Sequence, residues 1–549
     1  METFASLSPR LVAALSAVLL VFFPGTLRAA PRPNIIVILA DDMGFSDVGC
    51  YGGEIPTPNI DALAAGGLRY TQFYNAARCC PTRASLLTGL YPHQAGVGHM
   101  IDSYAAQRRK AFDSRAYSDH LSVRGHTIAE HLRSVGYRTY MSGKWHLGYR
   151  PEEWPVARGF DRSFALIGGA MSYYGYGPDH ALPVGERQSP LMASDDQRYR
   201  PPEEGFFATD AFTDHAIEFL KEPRSAGRPY FLYMAYNAPH WPLHARPETI
   251  AKYRGKYQKG WDSIREGRHA RLKELGIIDV KWPLGPRPPA LPAWEKVRPE
   301  RRDRWDEWMA VYAAQVEELD TAIGRLMAAV RETGEEENTL VLFLSDNGGA
   351  AERPVKTIAG AALGSRDSYE GYAIDGAHVS SAPFRMTKKF IHEGGISTPF
   401  IVRWPAGIPA VRNGRLVNDP GHVIDIASTC TELSGVQWVS NKSTPMEGIS
   451  LVPTFRGEKL KRDAPLFWEH EGNRGVRDGD WKLVARFEQP WELYNLSADR
   501  TELNNLADTE PEIAKRLTEE YDRWAARAGV LPWTRLPAEG KPVQAKPVE

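Results

Sequence analysis

The chain has 549 residues, 42% hydrophobic and 25% charged, enough to bury a large core and to build one big domain with a smaller one beside it. Its 67 basic and 68 acidic side chains leave a net charge of -1, which excludes a global field that would draw nucleic acid or an anionic membrane. Four cysteines in a chain this long exclude a disulfide scaffold; Cys50 and Cys430 are expected in the core or singly paired, and the adjacent Cys79-Cys80 needs its own account.

The first thirty residues read as a secretory signal. Arg10 precedes the apolar run from Leu11 to Phe23, Pro24-Gly25 breaks it, and Ala29-Ala30 offer a cleavage point before Pro31. The run is shorter than the ~20 residues a membrane span needs, and no later segment could span a bilayer. A periplasmic or secreted protein without stable membrane insertion is expected.

Four later segments share one layout, a continuous apolar run that stops at a polar or glycine-containing corner. Residues 34–40 run into Asp41-Asp42-Met43-Gly44, and residues 137–141 into Ser142-Gly143-Lys144-Trp145-His146. Residues 230–236 end at Asn237-Ala238-Pro239-His240, and residues 339–344 at Ser345-Asp346-Asn347-Gly348. Such runs are strands buried on both faces. Between them, Thr127 with Glu130 forms a capping box that opens a helix stopped near Gly136. Met309, Tyr312, Val316, Leu319, Ile323, Leu326 and Val330 mark a longer helix ending near Gly334. The alternation predicts an α/β fold, a mainly parallel central sheet covered by helices on both faces. Ligands bind such sheets beyond the carboxyl ends of the strands, where the Asp, Lys and His residues above fall. Residues 282–289 sit in a charged, proline-rich insertion expected at the surface. After about Gly435 the runs around 466–468, 481–484 and 491–496 predict a smaller C-terminal antiparallel sheet, followed by a helix over residues 511–528 that Gly529 stops. The expected organisation is a signal at 1–30, a catalytic domain at 33–435, a C-terminal α+β subdomain at 436–536 and a disordered tail at 537–549.

Asp41-Asp42 and Asp346-Asn347 each stand where a buried strand stops, so their oxygens could converge. Like charges packed together are costly unless a cation sits between them, and an all-oxygen set suits Ca²⁺ or Mg²⁺ over zinc. Asp and Asn are also ordinary turn formers and helix caps, and the spacing alone leaves both readings open.

Cys79-Cys80-Pro81-Thr82-Arg83-Ala84-Ser85-Leu86-Leu87-Thr88-Gly89 resembles the sulfatase signature, in which Cys is followed by any residue, Pro, any residue and Arg, with Thr-Gly closing the next turn. Asp41-Asp42, Gly143-Lys144-Trp145-His146-Leu147-Gly148, Ala238-Pro239-His240-Trp241-Pro242, Ser345-Asp346-Asn347-Gly348 and Lys388 ahead of Glu393-Gly394-Gly395 stand in the order that family shows. The resemblance covers residues 33–405 and continues more weakly through Asp499-Arg500-Thr501-Glu502 and Asn505-Leu506-Ala507; it is nearest to the bacterial arylsulfatases. It implies an alkaline phosphatase-like fold. It also implies conversion of Cys79 by a formylglycine-generating enzyme to formylglycine, whose hydrate offers two hydroxyls, one to attack sulfur and one to expel sulfate. One Ca²⁺ would be held by Asp41, Asp42, Asp346 and Asn347 with the modified Cys79 at its edge, and with Arg83 it would lower the hydroxyl pKa. Lys144 and Lys388 would hold the sulfate oxygens. His146 would take a proton during sulfate release, and His240, with Lys388, would protonate the departing alcohol.

Two positions depart from the pattern: Cys80 replaces a small polar residue, leaving neighbouring thiols that an oxidising compartment could pair, and Leu90 stands where many members carry Arg. Lys389 beside Lys388 leaves the lysine assignment open by one position. His93, His99 and His244 are expected near the pocket without an assigned role. The rival activity is hydrolysis of phosphonate or phosphate esters with the same machinery; a glycan-binding protein that has lost activity is the rival of another class. Loops around 165–205 and 250–300 are expected to choose the substrate.

Overall fold

The structure, a computed structural model, describes residues 32–101, 112–176, 191–223, 227–354, 357–436 and 444–533. The expected signal and tail lie outside them. The four apolar runs form the middle of an 11-stranded sheet: β1 is Asn34–Ala40, β2 Leu68–Tyr74, β3 Arg138–Lys144 and β4 Arg162–Leu166. Then come β5 Met192–Ser194, β6 Gln197–Tyr199, β7 Tyr230–Ala235, β8 Thr339–Ser345 and β9 Ser397–Arg403. The short β10 Arg415–Val417 and β11 Gly421–His422 complete it. The order is β10-β2-β9-β8-β1-β7-β3-β4-β5-β6, with β11 on β2.

Every residue of β1, β7 and β8 is buried, because both faces are covered. Ile36, Ile38 and Ala40 pack with the helices Pro58–Ala65, Ala208–Lys221 and Pro299–Glu332. Ile35, Val37 and Leu39 face the helices Cys79–Thr88, Ile128–Ser134 and Ile424–Ser434. The strand period of two divides the chain's apolar side chains between two cores.

Strands β8, β1, β7, β3 and β4 run parallel. Strand β9 is antiparallel to both β8 and β2, so β2 ends on the same edge as β8, and β9 begins there. Strand β3 runs three residues beyond the expected corner and ends on Lys144. Gly143 makes that possible: its φ is +117°, and a Cβ would lie 1.8 Å from the carbonyl oxygen of Ala235 on β7.

The capping box at Thr127 forms, the Glu130 N–H donating to Thr127 Oγ1 at 3.1 Å and the Thr127 N–H to Glu130 Oε2 at 2.6 Å. The long helix begins at Pro299, ten residues before the apolar pattern starts at Met309. The insertion holds the helix Gly260–Glu274, which buries Trp261, Ile264, Arg265, Arg268 and Leu272. The C-terminal region forms a separate antiparallel sheet of β12 Leu466–His470, β13 Asn473–Asp478, β14 Trp481–Ala485 and β15 Glu492–Asn495, with the helix Pro511–Ala528 ending at Gly529. A buried ionic network joins that sheet to the main one: Glu393 takes Lys482 Nζ and Arg500 Nε at 2.8 Å each, and Lys482 also pairs with Glu502 at 2.8 Å. All four cysteines are free thiols. Among the described residues no helix is long and apolar enough to cross a membrane.

Candidate active site

The shared edge of β2, β8, β1, β7 and β3 gathers the polar corners. Cys79 opens the helix Cys79–Thr88 a few residues after β2, and Asp41-Asp42 follow β1. His240 follows β7, Lys144 ends β3, and Asp346-Asn347 follow β8. Lys388 arrives from the opposite direction, ahead of the start of β9.

Asp41, Asp42, Arg83, Lys144, Asp346 and Asn347 are each 0–1% exposed, so none of them is a surface charge or an open strand end. Arg83 donates to the Lys144 carbonyl oxygen and to Asp346 Oδ2, each at 2.7 Å, and lies 3.5 Å from Asp41. Lys144 Nζ donates to Asp41 Oδ2 at 2.6 Å. Asn347 Nδ2 donates to Asp42 Oδ1 at 2.7 Å, and the Asp42 N–H to Asp346 Oδ1 at 3.2 Å. Lys388 Nζ stands 2.7 Å from Asp42 Oδ1, whereas Lys389 pairs with Glu471 and is half-exposed. Of the two neighbouring lysines, Lys388 is the one beside Asp42. His240 Nε2 lies 3.4 Å from Asp42 Oδ2.

Three oxygens from separate residues, Asp41 Oδ1, Asp42 Oδ2 and Asn347 Oδ1, are buried without a hydrogen-bond partner. Leaving such groups unsatisfied costs about 1–3 kcal/mol each, more when charged. Burial, followed by the nearby Asp41 carboxylate, pushes Asp346 up to about 7; burial also raises Asp41 despite Lys144 and Arg83. These groups fit a hard cation: two carboxylate atoms and an amide atom are unspent, with the His240 ring beside Asp41 and Asp42.

Cys79 sits where a helix N-terminus favours an anion. A hydrogen bond from Cys80, then Lys144 and His146, hold its thiol well below the usual range against the opposing effect of burial. His146 Nε2 lies 2.9 Å from the Ile101 carbonyl oxygen, the geometry of an N–H donor, while its Nδ1 is buried without a hydrogen bond. Gly169 permits this: a Cβ there would come within 2.6 Å of the imidazole. Burial holds His240 down at about 4. Lys388 is held above its usual range by Asp42 and Glu352, which outweigh burial.

The three histidines without an assigned role have other partners, although the His99 carbonyl oxygen lies 3.7 Å from Cys80 Sγ and His244 Nδ1 accepts from the Tyr173 N–H at 3.3 Å. His93 pairs with Glu469 at 2.7 Å, His99 lies 2.7 Å from the Met100 carbonyl oxygen, and His244 lies 2.7 Å from that of Ser368. Two residues absent from the sequence reading meet the site. Tyr173 donates to the carbonyl oxygens of Asn237 and His240 at 2.8 and 3.0 Å. Glu352 contacts Lys388, Trp241 and Arg78. Neither lies in a motif or at a strand end with a recognisable spacing.

Comparison with known proteins converges on one group. The sulfatase family profile matches residues 33–436, and a profile for the C-terminal region of N-sulphoglucosamine sulphohydrolase matches residues 384–526. An arylsulfatase of Klebsiella aerogenes is 36% identical over 475 residues, covering 82% of this chain and 99% of its own. An uncharacterized sulfatase of Schizosaccharomyces pombe is 35% identical over 535 residues, covering 91% and 94%. Among solved structures, that of Ps i-CgsB superposes with a TM-score of 0.68 at 25% identity over 93% of this chain and 96% of that one. A phosphonate monoester hydrolase of Agrobacterium radiobacter shares the fold at a TM-score of 0.55 and 20% identity, over 91% and 96%.

Proposed function

The chain belongs to the sulfatase family of sulfuric ester hydrolases, and from that premise we propose that it hydrolyses sulfate monoesters of phenols or sugars with Cys79, converted to formylglycine, as nucleophile and one calcium ion in the carboxylate cradle. The observation that carries the reading is the meeting of Asp41, Asp42, Asp346 and Asn347, three of their oxygens unspent, beside a cysteine at a helix N-terminus ringed by Arg83, Lys144 and Lys388.

The formylglycine hydrate would supply a hydroxyl to attack sulfur and a second to release sulfate. Calcium held by Asp41, Asp42, Asp346 and Asn347 would supply the positive charge that makes the hydroxyl nucleophilic and steadies the sulfate oxygens. The chain's own groups account for the rest. Arg83, locked between the Lys144 carbonyl and Asp346, fixes Asp346 and adds a permanent cation behind the nucleophile. Lys144 and Lys388 lie on the two aspartates, each within 2.7 Å of a carboxylate, where they can turn to sulfate oxygens as charge builds on them. His146 Nδ1, with its lone pair unengaged, accepts the proton when sulfate leaves. His240, whose pKa burial lowers to about 4, and Lys388, whose pKa Asp42 and Glu352 raise, stand together at Asp42, and the pair would serve the departing oxygen.

Sulfate is preferred over phosphonate because the similarity to sulfatases extends over both sequence and length, whereas the phosphonate hydrolase shares the fold alone. Export through residues 1–30 and a substrate pocket shaped by the loops around 165–205 and 250–300 belong to the same proposal. The test is turnover by converted enzyme of an aryl sulfate against a phosphonate monoester: a strong preference for the sulfate is expected, and a strong preference for the phosphonate overturns the reading.

A further inference from the structure

We propose that Glu352 is a positioning residue that sets the leaving-group side of the site by holding Lys388, Trp241 and Arg78 on one carboxylate. This deepens the sulfatase reading and rests on it.

Glu352 follows β8 in the loop beyond Asn347, and each oxygen has a separate task. Oε2 accepts from Trp241 Nε1 at 2.8 Å and from Lys388 Nζ at 3.1 Å. Oε1 pairs with Arg78 at 2.8 Å. These partners come from three other parts of the chain: Trp241 follows β7, Lys388 precedes β9, and Arg78 is the residue before the nucleophile. Glu352 touches none of the cation-facing residues; it touches what stands beside them.

Two consequences follow. Lys388 is shared between Asp42 at 2.7 Å and Glu352 at 3.1 Å; with the second carboxylate removed, the ammonium would be left to Asp42 alone, competing with the cradle's cation and turned from the departing oxygen. His240 is tied to the same anchor through the chain, because its Nδ1 lies 2.5 Å from the Trp241 carbonyl oxygen and its ring packs 4.6 Å from the indole. Glu352 therefore braces both groups that serve the leaving oxygen, and neither Arg83 nor His146. A residue so placed acts on the step in which the ester oxygen departs. Its loss is felt by substrates whose leaving group needs a proton and little by those whose leaving group departs as a stable anion.

The test compares wild type with Glu352→Gln and Glu352→Asp on a sugar or alkyl sulfate and on a nitrophenyl sulfate, with conversion of Cys79 checked in each. Glutamine can still accept from Trp241 but carries no charge for Lys388 and Arg78. For Glu352→Gln, kcat on the poor leaving group is expected to fall by about 10–100-fold, part of what a general acid contributes. KM and melting temperature should stay near wild type, and the nitrophenyl ester should lose less than about threefold, no Brønsted demand for acid remaining. Glu352→Asp is expected to recover part of the loss. Wild-type kcat on both substrates, or an equal loss on both with lowered melting temperature, overturns the proposal. Inactive wild-type enzyme with Cys79 converted would instead overturn the sulfatase reading itself.

Discussion

Replacing Glu393 by glutamine keeps the side-chain volume and removes one charge from a network with no access to water. Glu393, Lys482, Arg500 and Glu502 are all 0% exposed. In the variant Lys482 keeps Glu502 at 2.8 Å, but Arg500 loses its carboxylate and is left with the Thr71 carbonyl and the Ser397 hydroxyl. Breaking a buried pair by removing one partner destabilises by about 3–5 kcal/mol. A second route gives the same order: Lys482 and Arg500, working against burial, hold Glu393 at about 2 in place of 4.5, and at ~1.4 kcal/mol per tenfold that gap is about 3 kcal/mol. Because the folded pKa is depressed, this stability is fully present above pH 4.5 and is lost as pH falls toward 2. Urea unfolding at neutral pH is therefore expected to show Glu393→Gln destabilised by about 3 kcal/mol or more, with the difference from wild type shrinking below pH 4.5. The double variant Glu393→Gln/Arg500→Met should be more stable than the sum of the singles predicts, since it leaves one cation fewer without a partner. A single variant within about 0.5 kcal/mol of wild type would refute the reasoning.

Asp346→Asn removes a cradle charge and Arg83's 2.7 Å partner; turnover is expected to fall at least ~100-fold, with the calcium titration midpoint raised, and wild-type turnover would remove Asp346 from the cradle. Because Asp346 is buried against Arg83 rather than at an open strand end, the variant should also lose stability, which thermal melting reads. A calcium chelator should abolish turnover and lower the melting temperature, and added calcium should restore both, consistent with a ligand that stabilises by about 2.7 kcal/mol at a hundredfold excess over its Kd. Gly143→Ala places a Cβ 1.8 Å from the Ala235 carbonyl oxygen at a φ of +117°; a loss of about 3 kcal/mol or more should appear as poor soluble yield. His240, held by burial at about 4 against 6.5 when exposed, destabilises the fold as pH drops from 6.5 toward 4. His240→Gln should flatten that part of the stability profile, and an unchanged profile would count against a buried neutral imidazole.

The ends of β1, β7 and β8 were legible because their continuous apolar runs stop abruptly, which assigned Asp41, His240 and Asp346 to one edge; β3 carries Ser142 and runs three residues past its apparent stop, to Lys144. The helix Pro511–Ala528 was legible to the residue, since its apolar spacing ends at a glycine that adopts φ +81°. Lys388 could not be placed by the same rule. It precedes β9, the strand that runs against its neighbours, and direction is a property of pairing rather than of local pattern. Strand β13 was missed because Asn473-Arg474-Gly475-Val476-Arg477-Asp478 is polar and held by its neighbours on both sides. The helix Gly260–Glu274 was missed because two of its buried positions are the arginines 265 and 268. Arg268 is paired there with Asp47 and Glu54, and Arg265 bonds His378 and backbone carbonyls. Tyr173 and Glu352 carry no local signal at all; they matter through partners far away in sequence. The weakly matching Asp499-Arg500-Thr501-Glu502 segment gains a physical reason, since it supplies Arg500 and Glu502 to the network that holds Glu393 near the Lys388 loop.

The most direct measurement is mass spectrometry of the tryptic peptide that begins at Cys79, made on the same preparation whose sulfatase turnover is recorded. The account predicts a peptide about 18 Da lighter than the cysteine form, as replacing CH2SH by CHO at the nucleophile requires, with turnover proportional to the converted fraction and absent from Cys79→Ala. Full turnover by protein whose Cys79 is entirely unconverted would contradict it.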